Sequence, residues 1–235
     1  MTKTNKSRLP CCVRVPGLFI CFFVRIVYLR FCYGLTIRRG CGILNIGKGV
    51  SDIKTRDMIM ISFFAALITA GAYIKIPISV CPFTLQFLCT TLAGILLGGL
   101  QGALAVGIYV LIGLAGVPVF TGGSGLSYVV QPTFGYLLGF IAGTFVTGRI
   151  AHGGKATMKR LLCASFCGLA IVYAMGMAYY RAICRFWLGE PIGLWTLFLY
   201  CFLLAVPGDI VLCILSAVLG KRLLPILKRR EAMAV

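Results

Sequence analysis

Between Lys75 and Arg149 the chain runs for 73 residues, 76–148, without a single Asp, Glu, Lys, Arg or His. A helix that crosses the hydrocarbon core of a bilayer needs about 20 apolar residues, so this stretch alone holds material for about three crossings. The rest of the composition agrees. Of 235 residues only 12% are charged and 60% are apolar, with mean hydropathy +1.00, whereas soluble domains carry about 25% charged residues. A disordered chain is excluded, and the shortage of charge argues against a water-soluble enzyme. The expected fold is all-α, a polytopic membrane protein.

Charge-free runs at 58–74, 83–100, 102–115, 133–148 and 161–180 read as five membrane helices. The last apolar block, 192–220, has 29 residues and as one helix would measure about 43 Å, against a core of about 30 Å. Pro207-Gly208-Asp209 supplies the break, because a proline at the first helical position and an acid in the first turn suit a helix start. A sixth span therefore begins near Pro207, and 192–205 forms a separate short helix on the outer side.

The remaining charge is lopsided, with 23 Lys and Arg against 5 Asp and Glu, a net +18. Placement decides what this means. Lys54 and Arg56 precede the first span, Arg149, Lys155, Lys159 and Arg160 join the fourth and fifth, and Lys221, Arg222 and Lys228–Arg230 follow the sixth. Six crossings with both termini cytoplasmic put all three clusters on the cytoplasmic face, as the positive-inside rule requires. The basicity is a topology signal and not a nucleic-acid footprint. The expected location is the cytoplasmic membrane, with the lipid bilayer as surroundings.

Residues 1–50 stand apart from the membrane domain, 51–235. The first 56 residues hold 11 of the basic side chains, and Arg14, Arg25 and Arg30 interrupt the apolar stretch 13–37. Each arginine at a helix centre costs about 2.5–3.5 kcal/mol on insertion scales, so no spanning helix is expected there. An interfacial amphipathic segment, a poorly ordered extension and sequence upstream of the true start all remain open. Within it, Gly42-Ile43-Leu44-Asn45-Ile46-Gly47-Lys48-Gly49 approximates a phosphate-binding loop, but Gly49 stands where the magnesium-binding hydroxyl belongs and no strand-to-helix context surrounds it. The twelve cysteines lack C-x-x-C spacing and His152 is the only histidine, so they read as small apolar fillers and no metal set is expected.

Chemistry concentrates where the loops face outward. Gly116-Val117-Pro118-Val119-Phe120-Thr121-Gly122-Gly123-Ser124-Gly125 follows the third span. Glycines let backbone N–H groups approach a ligand, and non-helical backbone at membrane depth is tolerable where it lines a cavity. Pro82-Phe83-Thr84-Leu85-Gln86 and Pro132-Thr133-Phe134-Gly135-Tyr136 also sit at outward helix ends. Asp209 is the one carboxylate embedded among the apolar spans, and an ionisable residue there marks a functional site by default. A helix-capping role is its alternative. Arg181 is either its counter-charge or a snorkelling interface residue. Phe120, Tyr136, Tyr109 and Trp195 are candidate apolar contacts for a ligand, Gln86 and Thr84 candidate uncharged hydrogen-bond partners, and Gly122 and Gly123 candidate backbone donors. Small residues recur at intervals of four in Ala66 and Ala70, in Gly94, Gly98 and Gly102, and in Gly135, Gly139 and Gly143. Such rows let helix backbones touch, and Ala66 and Ala70 also suit contact with a partner protein.

Taken in order, Gly71-Ala72-Tyr73-Ile74-Lys75-Ile76-Pro77, Pro82-Phe83-Thr84-Leu85-Gln86, Leu92-Ala93-Gly94-Ile95-Leu96-Leu97-Gly98, Gly116-Val117-Pro118-Val119-Phe120 with Gly122-Gly123, Pro132-Thr133 with Gly135-Tyr136-Leu137, and Pro207-Gly208-Asp209 resemble the BioY biotin transporters. These are S components, the substrate-binding subunits of energy-coupling-factor (ECF) transporters. The resemblance covers residues 54–224. It implies a six-helix bundle with a high-affinity biotin pocket near its outer face, biotin being cargo with no cofactor needed. It also implies a transmembrane coupling protein and two ABC-type ATPases as partners, the first docking at Ala66 and Ala70. Asp209 would accept hydrogen bonds from the ureido N–H groups, with Arg181 or the Gly122-Gly123 amides holding the carboxylate tail. The chain departs from the family pattern at Leu212, where a lysine is usual, at Phe134, where glycine is common, and at Ser79-Val80-Cys81, which replaces a proline-rich stretch.

Two other readings keep the same architecture. One is an S component for another vitamin. The other is an intramembrane enzyme with Asp209 as general base, which lacks a second embedded acid, a histidine in a span and a metal set.

Overall fold

The computed structural model describes residues 55–76, 83–186 and 206–233. The N-terminal extension with its phosphate-loop look-alike, residues 79–81, the short helix expected at 192–205 and Trp195 lie outside the described residues. Among the described residues six helices follow one another: α1 (Thr55–Tyr73), α2 (Gln86–Leu97), α3 (Gly99–Leu114), α4 (Phe134–His152), α5 (Met158–Phe186) and α6 (Val206–Met233). Between α1 and α2 two-residue strands β1 (Lys75–Ile76) and β2 (Phe83–Thr84) pair antiparallel, Lys75 opposite Thr84. A 3-10 turn, Leu126–Val130, precedes α4.

Each expected span has its helix, and α6 starts one residue before Pro207, in whose first turn the missing N–H costs nothing. α1, α4, α5 and the Val206–Leu227 part of α6 are long and apolar enough to cross a membrane. The second expected span, 83–100, is shorter than read. Its first two residues pair in the hairpin, and α2 ends at Leu97 because Gly98 takes φ 92°, ψ 175°, backbone that side-chain-bearing residues avoid. The chain passes directly from α2 to α3, with Gly98 N–H donating to Gly94 C=O and Gly102 N–H to Gly98 C=O, each at 3.0 Å. At 12 and 16 residues, these helices are about 18 and 24 Å long.

Buried side chains sort by end of the bundle. Ile95, Ala151, Leu161, Ala164, Ala217 and Leu224 form one cluster, which joins the last turns of α2 and α4 to the start of α5 and the later half of α6. Phe87, Tyr136, Leu169, Val172, Tyr173, Leu212 and Cys213 form another, which joins the starts of α2, α4 and α6 to the middle of α5. α2, α4 and α6 therefore run in one direction and α5 in the other. Arg149, Lys155, Lys159, Arg160, Lys221 and Arg222 consequently share the end that holds Gly98. α1 packs across α2 and α3 through Ile61, Phe64, Leu92, Ala93 and Ala105.

Lipid tails are as apolar as the helices, so close backbone packing and interhelical hydrogen bonds must hold the bundle. The α4 glycine row does this against α5. A Cβ at Gly135 would lie 2.2 Å from Tyr179 Cβ, and one at Gly143 would lie 2.9 Å from Gly168 O. On its other flank α4 meets the α2–α3 break, where a Cβ at Gly148 would fall 2.3 Å from Gly99 N. The row of Gly94, Gly98 and Gly102 is split by the break: Gly94 packs on Thr144 of α4, and Gly102 on Ala93 and Gly94. Thr147 Oγ1 donates to Ala164 C=O at 3.1 Å, and the buried hydroxyls of Ser165 and Ser216 meet at 3.3 Å.

Candidate functional site

The polar and aromatic motifs gather at the end opposite the basic clusters. The segment between α3 and α4 is folded back on α3 by hydrogen bonds from Gly116 N–H and Gly125 N–H to Gly113 C=O, at 3.2 and 2.8 Å. Phe120 and Gly123 pair as an isolated bridge. Gly123 (φ 142°) and Gly125 (φ 89°) take left-handed backbone that the reversal requires. Val119 C=O accepts from Tyr109 Oη at 3.3 Å. From the α1 side, Tyr73 Oη donates to Pro118 C=O and Lys75 Nζ to Thr121 C=O, the latter at 3.3 Å.

Under this loop lies an unbroken line of rings. The tip of the buried Phe120 ring rests on Gly113, with Tyr109 edge-on at 5.5 Å and Tyr128 at 4.5 Å. Tyr128 leads to Phe134 at 6.5 Å and Phe134 to Tyr179 at 5.9 Å. Tyr179 Oη returns to the loop, donating to Val129 C=O at 2.6 Å. Gly122 and Gly123 are exposed, Gly122 close over the Tyr128 ring and Gln131 Oε1.

A second group centres on Asp209. Its Oδ2 accepts from Tyr173 Oη at 2.5 Å, and Tyr173 is buried edge-on to Tyr136, at 6.1 Å between centroids. Tyr136 lies over Gly176 of α5, where any Cβ would strike its ring at 2.4 Å. The carboxylate is thus turned into the bundle, toward α5, and not toward lipid. Gln86 links the two groups. Its side chain adjoins Tyr109, its neighbour Phe87 packs with Tyr136 and Tyr173, and its buried Nε2 has no hydrogen-bond partner among the described residues. Such an amide is costly unless something accepts from it.

Of the residues singled out from sequence, Tyr109, Phe120, Gly122 and Gly123 come together in the loop cluster, and Tyr136 and Asp209 meet through Tyr173. Thr84 is half-buried in the hairpin, opposite Lys75. Arg181 is not the partner of Asp209 among the described residues. It is exposed, and its place eight residues along α5 from Tyr173 sets it about 12 Å further up the helix. Leu212 is buried beside Tyr173. Ala66 and Ala70 are half-buried on the α1 face that also carries exposed Ile59, Phe63 and Tyr73, turned away from the bundle.

Sequence reasoning missed Tyr173, Tyr128, Tyr179 and the two loop clamps from Tyr73 and Lys75. One signal was present. A tyrosine inside an apolar span carries a hydroxyl that needs a partner, and α5 has three, at 173, 179 and 180.

With this geometry in place, comparison with known proteins is decisive. The sequence model of the BioY family matches residues 46–229. This chain belongs to the BioY family. A relative from Lysinibacillus sphaericus, described as a probable biotin transporter BioY, is 41% identical over 77% of this chain and 92% of its own. The biotin transporter BioY of Thermotoga maritima is 45% identical over 52% of this chain and 72% of its own. A crystal structure of the S-component for biotin from an ECF-type ABC transporter superposes with TM-score 0.63 at 26% identity, covering 72% of this chain and 90% of that one. This BioY-family chain is a multi-pass membrane protein.

Proposed function

We propose that this protein binds biotin with high affinity and carries it across the cytoplasmic membrane as the substrate-specific S component of an ECF transporter. It performs no covalent chemistry. The observation that carries the reading is the inward carboxylate of Asp209, held by Tyr173 at the loop end of a BioY-family bundle. A biotin ureido ring offers two N–H donors, and a carboxylate acceptor gives charge-assisted hydrogen bonds of about 1.5–3 kcal/mol. The buried Gln86 Nε2 supplies a donor to the ligand's acceptors. Phe120, Tyr136 and Tyr109 supply apolar surface for the fused rings and Thr84 a hydroxyl at the rim. The backbone of Gly122 and Gly123 receives the carboxylate tail, with exposed Arg181 available only from outside the bundle. Such a mix of apolar walls and few polar groups is what a small-molecule pocket needs.

In this reading both termini and the basic end are cytoplasmic, and the loop end is extracellular. The half-buried Ala66 and Ala70 on the outer face of α1 dock a transmembrane coupling protein, and two ABC-type ATPases supply the energy. The test is saturable binding of tritiated biotin to detergent-purified protein, with unlabelled vitamins as competitors. Displacement by biotin alone supports the assignment. Displacement by a different vitamin, with biotin inert, would transfer the same architecture to another cargo.

A further inference from the structure

We infer that Tyr173 is a positioning residue that fixes the ligand-binding face of the Asp209 carboxylate, an inference that rests on the biotin reading above. Asp209 stands in the first turn of α6, where its side chain has several rotamers open to it. One oxygen, Oδ2, is held across the helix interface by Tyr173 Oη at 2.5 Å. The Tyr173 ring cannot yield its place easily. It is buried in the cluster of Phe87, Leu169, Val172, Leu212 and Cys213, and Tyr136 meets it at an interplanar angle of 89°. Tyr136 is itself held against Gly176. A rigid phenol donating to one carboxylate oxygen fixes the plane of the group and leaves the Oδ1 lone pairs for ligand N–H donors.

The hydroxyl thus acts on biotin through Asp209. Preorganisation of this kind shows in affinity because the ordering cost is met before the ligand arrives. Removing only the hydroxyl keeps the ring's packing and releases the carboxylate.

The test is a double-mutant cycle on the full chain in detergent or nanodiscs, read by tritiated-biotin saturation, with Tyr173→Phe, Asp209→Ala and both together. Tyr173→Phe is expected to weaken binding about tenfold, with the ligand-free melting temperature close to that of the wild type. In the Asp209→Ala background the same change is expected to have no further effect, since no side-chain oxygen is left for the hydroxyl to hold. A merely structural tyrosine would weaken both backgrounds equally, and multiplicative losses would overturn the inference. So would wild-type affinity in Tyr173→Phe. If the wild type bound no biotin, the reading under Proposed function would fall first and this inference with it; binding by the wild type with no effect of Tyr173→Phe removes the inference alone. Tyr173→Leu, which keeps apolar volume in the cluster without the ring, serves as the packing control. It must weaken binding in both backgrounds and lower the melting temperature for the hydroxyl effect to count as separate.

Discussion

A methyl group at Gly113 tests whether the loop cluster shapes the binding site. The added Cβ in Gly113→Ala would fall 2.1 Å from Phe120 Cζ and 2.4 and 2.5 Å from the two Cε atoms of that ring. No rotamer relieves the overlap, because Cβ is fixed by the backbone. The ring must move, yet it is only 5% exposed and wedged between Tyr109 and Tyr128. Its backbone is bridged to Gly123, so displacement of Phe120 carries the glycine pair with it. Overpacking of this kind costs about 1–3 kcal/mol, which corresponds to about 5- to 150-fold in biotin affinity if the loop's position is a condition of binding. Helix propensity works the other way, since Ala in a helix is favoured over Gly by about 0.5–1 kcal/mol, so thermal stability falls less than affinity. Gly107→Ala is the control, on the same helix with nothing within 4 Å of the new methyl. Tritiated-biotin saturation and ligand-free melting of the two purified variants give the answer. Wild-type affinity in both would refute the proposed link between Phe120 packing and the ligand.

Gly148→Ala would drive a methyl to 2.3 Å from Gly99 N and 2.5 Å from Gly98 C, backbone that has no flexible end to give way. The expected result is a melting temperature well below that of Gly107→Ala, from about 3 kcal/mol or more of overpacking, seen also as loss of the monodisperse peak in size exclusion. Ala66→Trp on the outer face of α1 is expected to abolish uptake by cells that express the complete transporter while leaving detergent binding within about twofold. Normal uptake would remove the docking role of that face. Membrane-impermeant thiol reagents applied to intact cells are expected to label Ser124→Cys above the wild-type background and Lys155→Cys only after permeabilisation. The reverse pattern would invert the proposed orientation.

The number and order of the described helices were legible because the features that specify them are local. A charge-free run of bilayer length, a proline before an acid and basic clusters in alternate connections need no knowledge of tertiary contacts. The glycine row of α4 was legible for the same reason, because spacing of four puts Gly135, Gly139 and Gly143 on one face whatever they meet. Gly98 was not. Within a row of Gly94, Gly98 and Gly102, a glycine that packs and a glycine that turns look identical, and only φ 92° tells them apart. Asp209 was legible as a lone acid in an apolar setting. Its partner was not, since Tyr173 lies 36 residues away along the chain and sequence carries no distance between helices. Charge complementarity pointed to Arg181, but the helical rise places that residue's backbone about 12 Å beyond the acid's partner along α5. The aromatic line from Tyr109 to Tyr179 joins four separate segments, and membrane-embedded rings are as common in plain packing as in binding sites.

The proposed site places Asp209 as the acceptor of biotin inside the bundle. Equilibrium binding of tritiated biotin to purified wild-type protein and to Asp209→Asn, at matched folding by size exclusion, tests it most directly. Saturable wild-type binding is expected, with a loss of about 10- to 100-fold on the loss of the charge. Equal affinity in the two proteins would contradict it.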